Sequence, residues 1–121
     1  MARIIIADDD ATTCDLMRRA LESEGHSVFP AQDGQEALDI FSADPTRIDL
    51  IVSDVQMPGL DGISMIERAL AVSPRLKAIV ISGYADGLTK ARKLPVGRVN
   101  ALMKPVSLDA LRAAVVAALA K

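Results

Sequence analysis

The feature that most constrains the fold of this sequence is a regular alternation between short apolar runs and longer stretches with helical periodicity. The apolar runs have strand length and are mostly rich in Val and Ile, which favour β-strands. The five predicted strands are Arg3–Ala7, Ser27–Ala31, Asp49–Ser53, Lys77–Ile81 and Val99–Met103. The predicted helices cover 11–24, 35–43, 61–72 and 107–120, and the stretch 84–97 is ambiguous.

This pattern predicts five βα units joined by short connections. Strands that are apolar on both faces are typical of a parallel sheet covered by helices on both sides. The fold class is therefore α/β: a five-stranded parallel sheet, doubly wound as (βα)5 in three layers, with residues 1–121 forming one domain. Residues at helical spacing mark the first helix: Thr13, Leu16, Met17, Ala20, Leu21 and Glu24. Ser107 should cap the last helix.

Composition excludes several function classes. The formal net charge is −2, aromatic residues make up 2% of the chain and no Lys/Arg stripe occurs, so no direct nucleic-acid partner is expected. No apolar run approaches the roughly 20 residues of a spanning helix, and the apolar N-terminal run ends in acids, unlike an export signal. The single cysteine, Cys14, allows no internal disulfide. We expect a cytoplasmic protein without a membrane partner.

Polar side chains that can carry chemistry follow four of the five predicted strands. Strand 1 is followed by Asp8–Asp10, strand 3 by Asp54, strand 4 by Ser82 and strand 5 by Lys104. The carboxyl ends of parallel strands meet at one edge of the sheet, where ligands bind in such folds. We therefore expect three carboxylates, a hydroxyl and an ammonium group to converge there.

This set of groups predicts a phosphoryl-accepting site. Grouped carboxylates repel one another unless a cation offsets their charge, and oxygen ligands favour a hard ion such as Mg²⁺. A metal and a lysine together can neutralise the oxygens of a phosphoryl group while a carboxylate attacks the phosphorus in line. Carboxylates are established nucleophiles in the formation of aspartyl phosphates.

The strand-end residues also resemble a known family. The order Asp8-Asp9, then Asp54 within DVQMPGLDG, then Ser82 and Lys104-Pro105 is similar to the receiver domain of response regulators in two-component signalling. The resemblance covers residues 3–120, and Asp54–Gly62 is its most specific part. It implies a flavodoxin-like, CheY-like three-layer sandwich.

The resemblance implies a role for each acidic residue. Asp54 would accept a phosphoryl group from a histidine kinase or a histidine phosphotransfer protein. Mg²⁺ would be held by Asp9 directly, by Asp8 through water, by Asp54, and by the backbone carbonyl of Gln56. Asp10 is more simply explained as the cap of the first helix.

The resemblance also assigns the remaining strand-end residues. Ser82 would hydrogen-bond the phosphoryl group in the active state, and Lys104 would bind a phosphoryl oxygen. The Lys104–Pro105 peptide bond is expected to be cis. Each residue also has a plainer interpretation: a solvated acidic turn for Asp8–Asp10, a strand-closing polar residue for Asp54, and a surface lysine for Lys104.

The sequence departs from the family pattern at two places. Most receivers carry an aromatic residue three positions before the lysine, where this chain has Ala101, so the usual aromatic read-out is in doubt. Tyr84, two residues after Ser82, is a candidate to gate access to the site. In 84–97, Gly87 and Pro95 leave room for about two helical turns, which predicts a short, mobile or partly unwound helix.

The expected function is a phosphoacceptor switch that alters binding to a downstream protein target. It is not an enzyme beyond its own phosphorylation and dephosphorylation. Its Met1-Ala2-Arg3 start favours a stand-alone regulator over a piece of a hybrid kinase. The partner surface would be a modestly basic face: Lys90, Arg92, Lys93, Arg98 and Arg112.

Two other function classes stay open. A receiver-fold module that binds partners without phosphorylation is kept open by Ala101. A phosphatase or phosphotransferase acting on small substrates is less favoured, because Gln56 stands where a second catalytic acid would be expected and no inserted cap segment could enclose a substrate.

Overall fold

The secondary structure follows the predicted alternation closely. A computed structural model of the chain describes residues 2–84, 89–90, 94 and 98–120. Its strands are β1 (Arg3–Ala7), β2 (Ser27–Ala31), β3 (Leu50–Asp54), β4 (Lys77–Ser82) and β5 (Val99–Met103). Its helices are α1 (Ala11–Glu22), α2 (Gly34–Ala43), α3 (Gly62–Val72) and α4 (Leu108–Leu119), with a 3-10 turn at Pro45–Arg47.

All five strands belong to one parallel sheet in the order β2-β1-β3-β4-β5. The predicted α/β class and the five-stranded parallel sheet are therefore confirmed. The strand order reverses direction at β1, which has β2 on one side and β3 on the other. In open α/β sheets the crevice at such a reversal, beyond the carboxyl ends of the strands, is the usual ligand site.

Helices cover both faces of the sheet because the side chains of each strand alternate between them. On β1, Ile4 and Ile6 join a buried cluster with residues of α1 and α4. Ile5 and Ala7 join a second cluster with residues of α2 and α3. The central strands are therefore apolar on both faces, as expected for a three-layer α/β domain.

Side-chain caps fix where the helices begin, as predicted for two of them. Asp10 caps α1, and its carboxylate accepts from the backbone N–H of Thr12 at 3.0 Å and of Thr13 at 3.3 Å. These bonds stabilise the charged form and lower the pKa of Asp10. Ser107 caps α4 and accepts from the N–H of Ala110 at 3.0 Å.

The degree of burial differs from the simplest reading of the pattern at two places. Leu16, one of the residues at helical spacing in the first helix, is 51% exposed, and the buried side of α1 includes Cys14. The edge strands are covered less fully than the central strands. Phe29 on β2 is 37% exposed and Met103 on β5 is 56% exposed, because an edge strand has a neighbour on one side only.

The stretch 84–97 is described only at Tyr84, Thr89, Lys90 and Leu94. The side chain of Leu94 is buried in the cluster that contains α2 and α3 residues. The prediction of a short, mobile or partly unwound helix in this stretch lies outside the described residues and stays a prediction.

Candidate functional site

The register of the sheet brings the chemistry-bearing residues to one edge. Ala7 on β1 lies opposite Ser53 on β3, so Asp8 and Asp54 occupy neighbouring strand ends. Ser82, the last residue of β4, lies opposite Met103 on β5, and Lys104 follows directly. The predicted convergence of Asp8, Asp54, Ser82 and Lys104 is therefore a consequence of register.

Three carboxylates form a compact group at this edge. One carboxylate oxygen from each of Asp8, Asp9 and Asp54 lies within 4.8 Å of the others. Asp8 and Asp54 are buried, with exposures of 3% and 4%, whereas Asp9 is exposed. Burial, opposed in part by a hydrogen bond from the N–H of Asp10 and reinforced by the nearby charge of Asp54, raises the pKa of Asp8. Two carboxylates are thus held together at a cost in electrostatic energy.

The donor atoms of this group fit a hard divalent cation. Among the side-chain atoms of the described residues, Asp54 Oδ1 is buried without a hydrogen-bond partner. A buried carboxylate oxygen that lacks a donor is destabilising unless a cation or water satisfies it. Its neighbours, Asp8 and Asp9, supply further carboxylate oxygens of the kind that Mg²⁺ takes. Gln56 lies two residues beyond Asp54 with an exposed side chain, and the ligand role of its carbonyl stays a prediction.

Lys104 binds the second oxygen of the central carboxylate. Its Nζ donates to Asp54 Oδ2 at 2.9 Å, and its backbone N–H donates to the Ser82 carbonyl at 2.9 Å. Burial by itself would lower the pKa of Lys104, but the hydrogen bond and attraction to Asp54 outweigh it and the pKa is raised. The lysine is therefore charged at neutral pH. The Lys104–Pro105 peptide bond is cis, as the family resemblance implied.

The Ser82 hydroxyl is engaged by the loop that follows it. Ser82 is fully buried, and its Oγ accepts from the N–H of Tyr84 at 3.0 Å and donates to the carbonyl of Tyr84 at 3.1 Å. The Tyr84 side chain is 65% exposed. Ala101, at the position of the usual aromatic residue, is exposed on β5 opposite Val80. In this state the hydroxyl is paired with the loop.

Sequence reasoning missed two features of this edge. Ser53, one residue before Asp54, is 1% exposed and donates from its Oγ to the Asp54 carbonyl at 2.8 Å. A groove of about 540 Å³ opens beside Asp8 and Lys104, between α1 and the start of α4. Leu16 forms part of its wall. The position of Ser53 next to a strand-end acid was the sequence signal for its hydrogen bond. No local sequence pattern predicts the groove.

A parallel α/β sheet with an acidic strand-end cluster and a lysine on its central carboxylate defines a receiver-type site. The chain matches the family model for the response regulator receiver domain over residues 4–116. It belongs to that family, the class of phosphoacceptor domains in two-component signalling.

Known proteins that resemble the chain agree with this assignment. The response regulator MprA of Mycolicibacterium vanbaalenii is 36% identical over 111 residues, covering 92% of this chain and 47% of that protein. A receiver domain protein from Clostridium thermocellum has a TM-score of 0.90 at 28% identity, covering 99% and 95% of the two chains. TrrA from Thermotoga maritima, solved in complex with Mg²⁺ and BeF, has a TM-score of 0.82 at 25% identity over 95% and 96%.

The curated relatives are longer than this chain, which spans about half of their length or less. The activities of those whole proteins therefore do not follow from the match. Within the described part of the chain, none of the helices is both long enough and apolar enough to cross a membrane.

Proposed function

We propose that Asp54 accepts a phosphoryl group from a phosphohistidine, with Mg²⁺ bound at the acidic edge, and that this changes the binding of a partner protein. The observation that carries the proposal is the state of the Asp54 carboxylate. It is buried and lies beside the carboxylates of Asp8 and Asp9. Its Oδ2 is bound by the Lys104 ammonium, and its Oδ1 has no hydrogen-bond partner among the residues that the structure describes.

The proposed transfer is a simple displacement at phosphorus. An Asp54 carboxylate oxygen forms a bond to the phosphorus while the phosphorus–nitrogen bond of the phosphohistidine breaks, and the electron pair stays with the imidazole, which takes up a proton. Asp9, Asp8, Asp54 and the Gln56 carbonyl would hold Mg²⁺, which supplies charge neutralisation at the phosphoryl oxygens when bound. The Lys104 ammonium, already charged at neutral pH, would bind another of those oxygens.

We propose that the Ser82 hydroxyl changes its hydrogen-bond partner when Asp54 is phosphorylated. Its hydroxyl accepts from the Tyr84 N–H and donates its one proton to the Tyr84 carbonyl, so the second of these bonds must break before it can donate to a phosphoryl oxygen. That exchange would release the Tyr84 carbonyl and alter the backbone of Gly83 and Tyr84. With Ala101 in place of an aromatic residue, the change would be carried by this backbone and not by an aromatic side chain of β5.

The proposed phosphodonor is a histidine kinase or a histidine phosphotransfer protein. The groove beside Asp8 and Lys104 supports this, because a donor must bring its histidine to Asp54 while binding a neighbouring surface. Its walls are largely apolar, with contributions from α1, the 105–108 segment and α4. Exposed Leu16 is the natural contact for an apolar donor surface.

A downstream protein target would bind elsewhere, on the predicted basic face. Arg112 of that face already forms ion pairs with Glu24 at 3.6 Å and Asp109 at 3.0 Å, and Arg98 is hydrogen-bonded to the Pro74 carbonyl. Arg92 and Lys93 lie outside the described residues. We propose a cytoplasmic protein with no direct nucleic-acid partner and no substrate other than its own phosphoryl group, which it would hydrolyse slowly.

The decisive experiment measures phosphoryl uptake directly. The protein is incubated with acetyl phosphate and Mg²⁺ and weighed by intact-protein mass spectrometry, alongside Asp54→Asn and Asp49→Asn. Asp49 is the matched control, because it precedes the opposite end of β3 and its carboxylate accepts from the N–H of Arg3 at 2.9 Å. We expect one phosphoryl adduct in the wild type and in Asp49→Asn, and none in Asp54→Asn or without Mg²⁺.

One alternative function is favoured by a specific observation. Ala101 leaves β5 without the aromatic residue that normally reports phosphorylation, which suits a module that binds its partner constitutively. Absence of an adduct, together with no change in the spectrum on adding beryllofluoride and Mg²⁺, would favour that account over phosphoryl transfer.

A further inference from the structure

Ser53 makes a buried contact with the backbone of the central acid. It is the penultimate residue of β3, and its Oγ donates to the Asp54 carbonyl at 2.8 Å. The ladder between β1 and β3 ends with Ala7 opposite Ser53, so the Asp54 carbonyl lies one residue beyond it. A buried backbone carbonyl needs a donor. The Ser53 hydroxyl supplies one where the β1–β3 ladder has ended.

The same carbonyl is also held by close packing. A Cβ added to Gly62, the first residue of α3, would lie 2.1 Å from the Asp54 carbonyl oxygen and 2.7 Å from Ser53 Oγ. Val55, the next residue, is held by two backbone hydrogen bonds. Its N–H donates to the Ile81 carbonyl at 3.0 Å, and its carbonyl accepts from the N–H of Gly62 at 3.1 Å. The backbone leaving Asp54 is therefore held by a hydroxyl, by β4 and by the start of α3.

We infer that Ser53 is a positioning residue: its hydroxyl holds the peptide after Asp54 so that the carboxylate and the Gln56 loop present their oxygens to a divalent cation and a phosphoryl group. The inference rests on the proposed function for its link to phosphoryl transfer. A displacement of this peptide would move the backbone that carries the Asp54 side chain. Its Oδ2 meets Lys104, and its Oδ1 has no hydrogen-bond partner among the described residues. It would also displace the backbone of Gln56, two residues further along.

The test compares Ser53→Ala with Ser53→Thr, which keeps the hydroxyl, and with Ser23→Ala. Ser23 is the control: it follows the C-terminal end of α1, and its Oγ also donates to a backbone carbonyl, that of Ala20, at 2.7 Å. Mg²⁺ affinity is measured by titration calorimetry without any phosphodonor, and phosphoryl uptake from acetyl phosphate is measured separately. Urea unfolding of each variant records its stability.

We expect Ser53→Ala to weaken Mg²⁺ binding by about three- to tenfold. This is the change in affinity that corresponds to the net free energy of roughly one hydrogen bond. Ser53→Thr and Ser23→Ala should bind Mg²⁺ as the wild type does. A purely structural role would lower the stability of Ser53→Ala and leave its Mg²⁺ affinity unchanged. That result would overturn the inference.

Two further outcomes separate this inference from the proposed function. A loss of Mg²⁺ affinity in Ser53→Ala that a folded Ser53→Thr does not restore would also overturn the inference, because the hydroxyl would not be its cause. If the wild type binds Mg²⁺ but takes up no phosphoryl group, while Ser53→Ala still binds the ion more weakly, the proposed function fails and the positioning role stands.

Discussion

Replacing Asp8 by Asn should stabilise the metal-free protein. Asp8 is buried, and its carboxylate lies within 4.8 Å of that of Asp54. Asn keeps an oxygen that can accept from the Asp10 N–H, the bond that Asp8 Oδ1 now makes at 2.9 Å. The substitution therefore removes a buried negative charge while it preserves the shape and one hydrogen bond.

The magnitude follows from the separation of the charges. Two unit charges within 4.8 Å of each other repel by at least about 3.5 kcal/mol at an effective dielectric constant of roughly 20. Lys104 offsets part of this repulsion, so we expect a gain in unfolding free energy of about 1–2 kcal/mol at neutral pH. Because folding raises the pKa of Asp8 above its ordinary 3.8, the wild type loses stability as the pH rises from that value through the folded pKa. The advantage of Asp8→Asn should therefore vanish in more acidic solution.

The assay is urea unfolding in EDTA and again in Mg²⁺, with Asp39→Asn as control. Asp39 is exposed on α2, so its substitution should change the unfolding free energy by less than about 0.5 kcal/mol. In Mg²⁺ at ten times its Kd, the wild type should gain about 1.4 kcal/mol, and the variant less. A variant that is equally destabilised in EDTA and in Mg²⁺ would refute the claim that charge repulsion dominates at this edge.

Two further predictions concern the residues around Asp54. Gly62→Ala should destabilise the fold by about 1–3 kcal/mol in urea, because its Cβ would overlap the Asp54 carbonyl. The control is Gly83→Ala, whose Cβ would meet only Lys104 side-chain atoms among the described residues, at 3.8 Å or more. Equal costs for the two substitutions would contradict this packing. Tyr84→Ala should change the rate at which phosphorylated protein loses its adduct in the mass spectrometric assay, because Tyr84 borders Ser82. An unchanged rate would end the gating hypothesis.

Much of the fold was predictable because its signals are local. The observed bounds of β1, β2 and β5 are the predicted ones. A short run of apolar or strand-favouring residues indicates a strand even when its neighbours in the sheet are unknown. The caps at Asp10 and Ser107 were predictable for the same reason: each side chain bonds a backbone N–H two or three residues away.

The site was predictable in its membership but not in its contacts. A parallel sheet gathers its strand ends, so Asp8, Asp54, Ser82 and Lys104 had to lie near one another. Two details depend on side-chain directions within a few ångströms: the hydrogen bonds between Ser82 and Tyr84, and the lack of a partner for Asp54 Oδ1 in the described part of the chain. The predicted ligand role of Gln56 concerns a backbone carbonyl, and no side-chain pattern could reveal it.

The amino-acid sequence alone determined the strands, the parallel architecture and the chemistry at the strand ends, because periodicity and residue type act over a few positions. Only the tertiary structure decided that β2 and β5 lie at the edges, that Leu16 faces solvent and that Ser53 holds the Asp54 carbonyl. Strand order and register join residues far apart in the chain. Those contacts are set by how whole layers pack, which no local pattern records.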